Sequence, residues 1–215
     1  MLSLLQLTDS SFPTGGFSHS AGLESALQHK VIKSKTDLGK IIQTHLENTG
    51  SFSLPFVNEA FRKDVQNVKD LDEFFNASTS NHVANRASRK QGKSFSDTVT
   101  KVHLNEELLR LYQSLDHHHY PVVFGIIYSK LGIDLKTTQI AFLSSTLKSV
   151  ISSAVRLDII GAIEAQRLQL ELQRSIPDIV KRNDSKMAVD AALRFPVIDV
   201  VQNCHDTLFS KLFYS

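Results

Sequence analysis

The sequence predicts an all-α fold, a single-domain bundle of about nine or ten helices covering residues 1–215. Three observations point there. Apolar residues recur three and four positions apart along most of the chain, as one face of a helix requires. Alternation at period two, the mark of a half-buried strand, is almost absent. Glycines and prolines fall between the periodic runs, where helices stop or start.

In chain order, Leu38, Ile41, Ile42 and Leu46 form the first long stripe, opened by Thr36-Asp37 and closed by Gly50 in a stop position. Pro55 suits the first turn of a helix expected to run to about Val65. Leu104, Leu108, Leu111 and Leu115 make another stripe, with polar Asn105 and acidic Glu106 and Glu107 near its start. Pro121 opens a helix through Gly125 to Lys130, and the short apolar run Val122-Val123-Phe124 is embedded in that pattern. Ile140, Leu143, Leu147, Val150, Ile151 and Ala154 line one face over about five turns. Breakers stand at Pro13-Thr14-Gly15-Gly16, Gly50-Ser51, Gly132, Pro177 and Pro196, and the polar stretch Lys181 to Lys186 reads as a turn or mobile loop.

A chain of 215 residues can bury roughly 70% of its unfolded surface and so needs no disulfide or structural metal. The 41% apolar and 21% charged fractions indicate neither disorder nor a membrane protein, and no apolar run is long enough to span a bilayer. The start, Met1-Leu2-Ser3-Leu4-Leu5-Gln6-Leu7, lacks the basic region of a secretory signal. With 24 basic and 22 acidic residues the net charge is +2, which provides no stripe for a nucleic-acid backbone; the stretch Arg86 to Lys93 is short and carries no aromatic residue. Cys204 is the only cysteine, so thiolate clusters are excluded, and a cytoplasmic location is expected.

Six arrangements invite chemistry. Ala87-Ser88-Arg89-Lys90-Gln91-Gly92-Lys93-Ser94 meets the permissive phosphate-loop pattern, but the preceding Asn76 to Arg86 is polar and helix-like and supplies no buried strand. His117-His118-His119, after Asp116, could gather nickel in a loop, although adjacent residues on a helix face different ways. Cys204 beside His205 is at most an open, weak metal site. Ser18 and Ser20 flank His19, and Glu164 and Glu171 share a helical face, but neither arrangement is a catalytic set. Arg156 and Asp158 follow a strongly apolar stripe, which marks Arg156 as a structural clamp or an interface contact.

The segment Leu5-Gln6-Leu7-Thr8-Asp9-Ser10-Ser11-Phe12-Pro13-Thr14-Gly15-Gly16-Phe17-Ser18-His19-Ser20-Ala21-Gly22-Leu23-Glu24 resembles the opening signature of the urease accessory protein F family. Arg86-Ala87-Ser88 with Gln91-Gly92, His119 to Gly125, Ser153 to Leu157 with Gly161, and Pro196 to Asp199 with His205, Leu208 and Lys211 to Ser215 are similar to further family blocks in the same order. His119 and His205 match family positions, whereas His117, His118 and Cys204 do not. Lys211 stands where the family usually has arginine, which keeps the charge but loses the planar fork.

The resemblance implies an all-α homodimer without cofactor or catalytic residues. It implies a scaffold that binds the D-type accessory protein (H in some organisms), recruits the G-type nickel-binding GTPase, possible modulation of GTP hydrolysis included, and helps deliver nickel to apo-urease. Its partner-binding residues are expected in the N-terminal elbow, at Phe12, Pro13, Gly15, Gly16 and Phe17, and in the C-terminal tail, at His205, Leu208, Lys211, Leu212 and Phe213. Two alternatives remain: a nucleotide-binding protein using Gly92-Lys93-Ser94, and a nickel-binding protein using His117 to His119.

Overall fold

The computed structural model describes residues 2–64 and 67–215. Among them are twelve α-helices, ten of eight residues or more, joined by 3-10 turns and loops, with no strand. They are α1 (Leu2–Thr8), α2 (Leu23–Gln28), α3 (Lys35–Asn48), α4 (Leu54–Arg62), α5 (Lys69–Ser78) and α6 (His82–His103). The second half holds α7 (Glu106–Ser114), α8 (Tyr120–Lys130), α9 (Leu135–Arg156), α10 (Ala162–Leu172), α11 (Ile176–Asn183) and α12 (Pro196–Asn203).

Helix starts follow local chemistry. Ser34 caps α3 by accepting the Asp37 N–H, so this helix begins just before the expected Thr36-Asp37. Asn81, Asn105 and Asp134 cap α6, α7 and α9 in the same way. Pro55 and Pro121 sit in the first turns of α4 and α8 as expected, and Pro177 and Pro196 do the same for α11 and α12. The end expected for the Pro55 helix at Val65 lies outside the described residues; the helix itself closes at Arg62.

The centre of the core is α8, whose residues Tyr120 to Tyr128 are all buried. It lies against α4, α6 and α9. Phe124 stacks on Tyr128 at 4.0 Å and meets Phe142 of α9 edge-on at 5.2 Å. Gly125 brings α8 onto α4 so closely that a methyl group there would overlap the Val57 carbonyl.

Two expectations need correction. Gly50 does not stop a helix: residues Thr49–Ser53 form a π-turn that carries α3 directly into α4, and Gly50 is small because Ile179 presses on it. Lys181 to Lys186 is not simply a loop, since α11 continues to Asn183. The buried Asn58 donates to the Asn183 and Lys186 carbonyls at 2.8 and 2.9 Å, which anchors the turn that follows.

Candidate partner-binding site

The elbow turns at Gly15, whose φ of 75° a side-chain-bearing residue adopts only at a cost. Its α-carbon also faces Ser94 of α6, where an added methyl would stand 3.1 Å from the serine Cβ. Ser94 and Thr98 both donate to the Pro13 carbonyl, at 3.1 and 3.2 Å, so the elbow is moored along α6. Three of the predicted residues therefore diverge. Phe12 turns inward, edge-on to Phe95 at 6.0 Å, while Pro13 and Phe17 face solvent.

The tail does not continue the helical spacing of Leu208, Phe209, Leu212 and Phe213. After a 3-10 turn at Cys204–Thr207 it runs as an irregular strap to Ser215. Leu208 and Phe213 are buried within the chain itself, and Phe209 and Leu212 stay exposed. The reason is a buried acid. Glu24 of α2 accepts the Leu212 N–H at 2.5 Å and the Phe213 N–H at 3.1 Å. His205 lies buried 3.8 Å from the same carboxylate, and burial holds its pKa below the ordinary value. Lys211 reaches the Asp206 carbonyl at 3.0 Å.

Elbow and tail then meet. Tyr214 N–H donates to the Ser18 carbonyl at 2.9 Å, Ser20 N–H to the Ser215 carbonyl at 2.7 Å, and the His19 ring and Ser215 hydroxyl lie 2.5 Å apart. Arg156, at the end of α9, is stacked between Phe17, 3.6 Å from its ring centre, and Phe213, at 4.2 Å, and donates to the Phe17 carbonyl. On α6, Lys90 sits 3.2 Å above the Tyr214 ring. Arg86 forms a two-pronged pair with Asp206, whose carboxyl is held down to about 2 chiefly by that guanidinium.

The sequence model of the UreF family matches residues 32–173. The chain is 37% identical to urease accessory protein F of Arabidopsis thaliana, over 98% of this chain and 90% of that protein. It is 35% identical to the protein of the same name from Oryza sativa subsp. japonica, over 97% of this chain and 82% of the relative. Urease accessory protein UreF of Trichodesmium erythraeum is 29% identical, with 99% and 95% covered. The chain belongs to the UreF family.

In this UreF chain the remaining sequence candidates are dispersed. Residues 87–94 lie wholly inside α6, so their backbone N–H groups belong to a helix rather than to a phosphate cradle. Gly92 is the point at which α6 meets the segment before α8, and a methyl there would overlap the His118 carbonyl. The three histidines are organised by an acid that sequence reasoning missed. Buried Asp72 accepts the N–H groups of His117, His118 and His119 at 3.0, 2.9 and 2.8 Å. Their rings part: His117 pairs with Glu73, His119 sits between Ser88 and Asn76, and His118 lies on Tyr112. Cys204 is half-buried, its neighbour His205 turned onto Glu24. Glu164 pairs with Lys35 on the surface.

A cavity of about 200 Å³ lies behind the elbow, bordered by His19, His45, Asn48, Tyr120, Asp199 and Gln202. Burial lowers the pKa of His19 and of His45 to about 4 and raises that of Asp199. Among the described residues no helix is long and apolar enough to cross a membrane. Glu24 and Asp72 were findable only as acids embedded in apolar stripes. Nothing in the sequence paired Lys90 with Tyr214.

Proposed function

We propose that this UreF-family chain is a non-catalytic scaffold of urease maturation, a single cytoplasmic domain acting as a homodimer. It bridges the D/H-type accessory protein and the nickel-binding GTPase, modulates GTP hydrolysis and helps nickel, its cargo, reach apo-urease. One observation carries this reading beyond family membership. Both segments expected to bind partners converge on Arg156, through Phe17 and Phe213, and leave Phe17, Leu212 and Tyr214 exposed to solvent. Exposed aromatic and apolar side chains held on a fixed frame are what a protein interface uses. Two histidines at the largely apolar cavity behind the elbow, His19 and His45, support a part in the nickel path, since imidazoles kept neutral by burial leave a ring nitrogen free to meet a metal in passing.

Co-expression with a D-type accessory protein, affinity capture and size-exclusion chromatography test the reading. Stoichiometric co-elution is expected, with the GTPase joining only when both proteins are present. A chain that elutes alone overturns the scaffold.

A further inference from the structure

A second cavity, of about 190 Å³, lies between α1, the elbow and α9. Its α9 wall carries Lys148, Ser152 and Arg156, spaced four residues apart and so set in one row along the helix. Lys148 is half-buried and donates to the Thr8 carbonyl, at the end of α1, at 3.0 Å. Arg156 is also half-buried and donates to the Phe17 carbonyl. An ammonium carries three donors and a guanidinium five, so donors remain on both heads. Neither cation forms an ion pair with a carboxylate among the described residues. Asp9, the acid on the cavity's border, is exposed and bends back onto its own turn, accepting from the Ser11 N–H at 2.7 Å and hydroxyl at 2.5 Å. Between the two cations the Ser152 hydroxyl has no protein partner among the described residues, and Ser145 and Ser149 line the same wall. Charge drawn partly out of water is costly until a counter-charge meets it.

We propose that this cavity binds a small oxyanion of the phosphate or bicarbonate kind, seated over Ser152 with Lys148 on one side and Arg156 on the other. Its oxygens accept from the ammonium, the guanidinium and the serine hydroxyl, and charge on both partners strengthens the first two bonds. A metal cation is disfavoured here, because both fixed charges of the α9 wall are positive. Lys148 already holds the end of α1 and Arg156 the elbow, so an anion between them ties both segments to α9. The site is independent of the scaffold reading.

The test follows the melting temperature of the full chain as inorganic phosphate or bicarbonate is raised through the millimolar range, against sodium chloride at matched ionic strength and the same pH. A ligand that binds only the folded state raises that temperature with its concentration. The two ions, compared side by side, tell a tetrahedral oxyanion from a planar one, and a response to either supports the site. The native chain and Lys148→Arg, which keeps the charge, are expected to respond, and amide exchange over residues 10–17 is expected to slow. Lys148→Gln should weaken binding about tenfold or more. Ser152→Asp sets a carboxylate between the cations and should abolish the response, with circular dichroism showing the fold intact. A rise in the native chain no larger than chloride produces overturns the proposal. So does a rise that survives in both Lys148→Gln and Ser152→Asp, since the anion then binds elsewhere.

Discussion

Glu24 is almost wholly buried, and its carboxylate accepts the backbone N–H of Phe213 at 3.1 Å. An acid in α2 thereby fixes the course of a strap near residue 213. Hydrogen bonds to an ionised buried group are worth about 1.5–3 kcal/mol, and removing the acceptor strands two donors. Glu24→Ala is therefore expected to lower unfolding stability by about 2–4 kcal/mol in denaturant titration. Amide exchange at Leu212 and Phe213 should accelerate far more than in α8. Deleting residues 211–215 removes buried Phe213 as well and should lower the melting temperature by several degrees.

Gly92 and Lys93 separate the packing role of α6 from a phosphate-binding one. Gly92→Ala forces a methyl into the His118 carbonyl and should cost about 3 kcal/mol or more, because backbone is pressed on backbone. Lys93 is exposed, and Lys93→Ala should change stability by no more than about 0.5 kcal/mol. Equilibrium dialysis with GTP and ATP should find no micromolar binding by the native chain. Nucleotide binding abolished by Lys93→Ala would contradict the helix-bound reading of this motif.

Asp72 gathers three consecutive N–H groups ahead of α8. In Asp72→Ala those buried donors lose their acceptor, at a cost of about 3 kcal/mol or more. Asp72→Asn retains one acceptor oxygen and should recover part of the loss. Triple substitution of the rings His117, His118 and His119 with the carboxylate intact should be milder than Asp72→Ala by chemical denaturation. The reverse order would mean that the rings, not the backbone, hold this corner.

Three imidazoles shielded from water, those of buried His19 and His119 and half-buried His45, set a pH dependence. Burial lowers the pKa of His19 and His45 to about 4 and of His119 to about 3. The unfolded chain protonates these rings below about pH 6.5 while the folded chain resists, so the unfolded state binds more protons. Their contribution to stability is complete above about pH 6.5 and is lost as pH falls toward 4. Urea midpoints measured from pH 7.5 to 4.5 should fall accordingly. His45→Leu should reduce the slope by up to about one proton, since the His45 ring Nδ1 has no partner to lose.

The sequence alone determined the helical class, the positions of α8 and α9, the starts led by Pro55 and Pro121, and the family; it also placed α7, except that Leu104, expected to open its stripe, is an exposed residue with φ 47° that ends α6. These follow from spacing within a few turns or from short motifs, and local contacts are written in neighbouring residues. Tertiary structure alone decided what the same residue types do at a distance. Gly50 and Gly92 read as a helix stop and a phosphate-loop glycine, yet each is small because another segment, Ile179 or the His118 carbonyl, lies against it. Leu208 to Phe213 carries helical spacing, but Glu24 takes the Leu212 and Phe213 N–H groups, Ser18 and Ser20 pair with Tyr214 and Ser215 just beyond, and the segment runs as a strap. Of the predicted site, Phe17 and Leu212 face solvent while Phe12, Leu208 and Phe213 turn inward. Arg156 was marked as clamp or contact; its seat between Phe17 and Phe213 needs three parts of the chain brought together. Periodicity assigns a residue to a face of its own helix. What covers that face depends on pairings between distant segments, which no local pattern records.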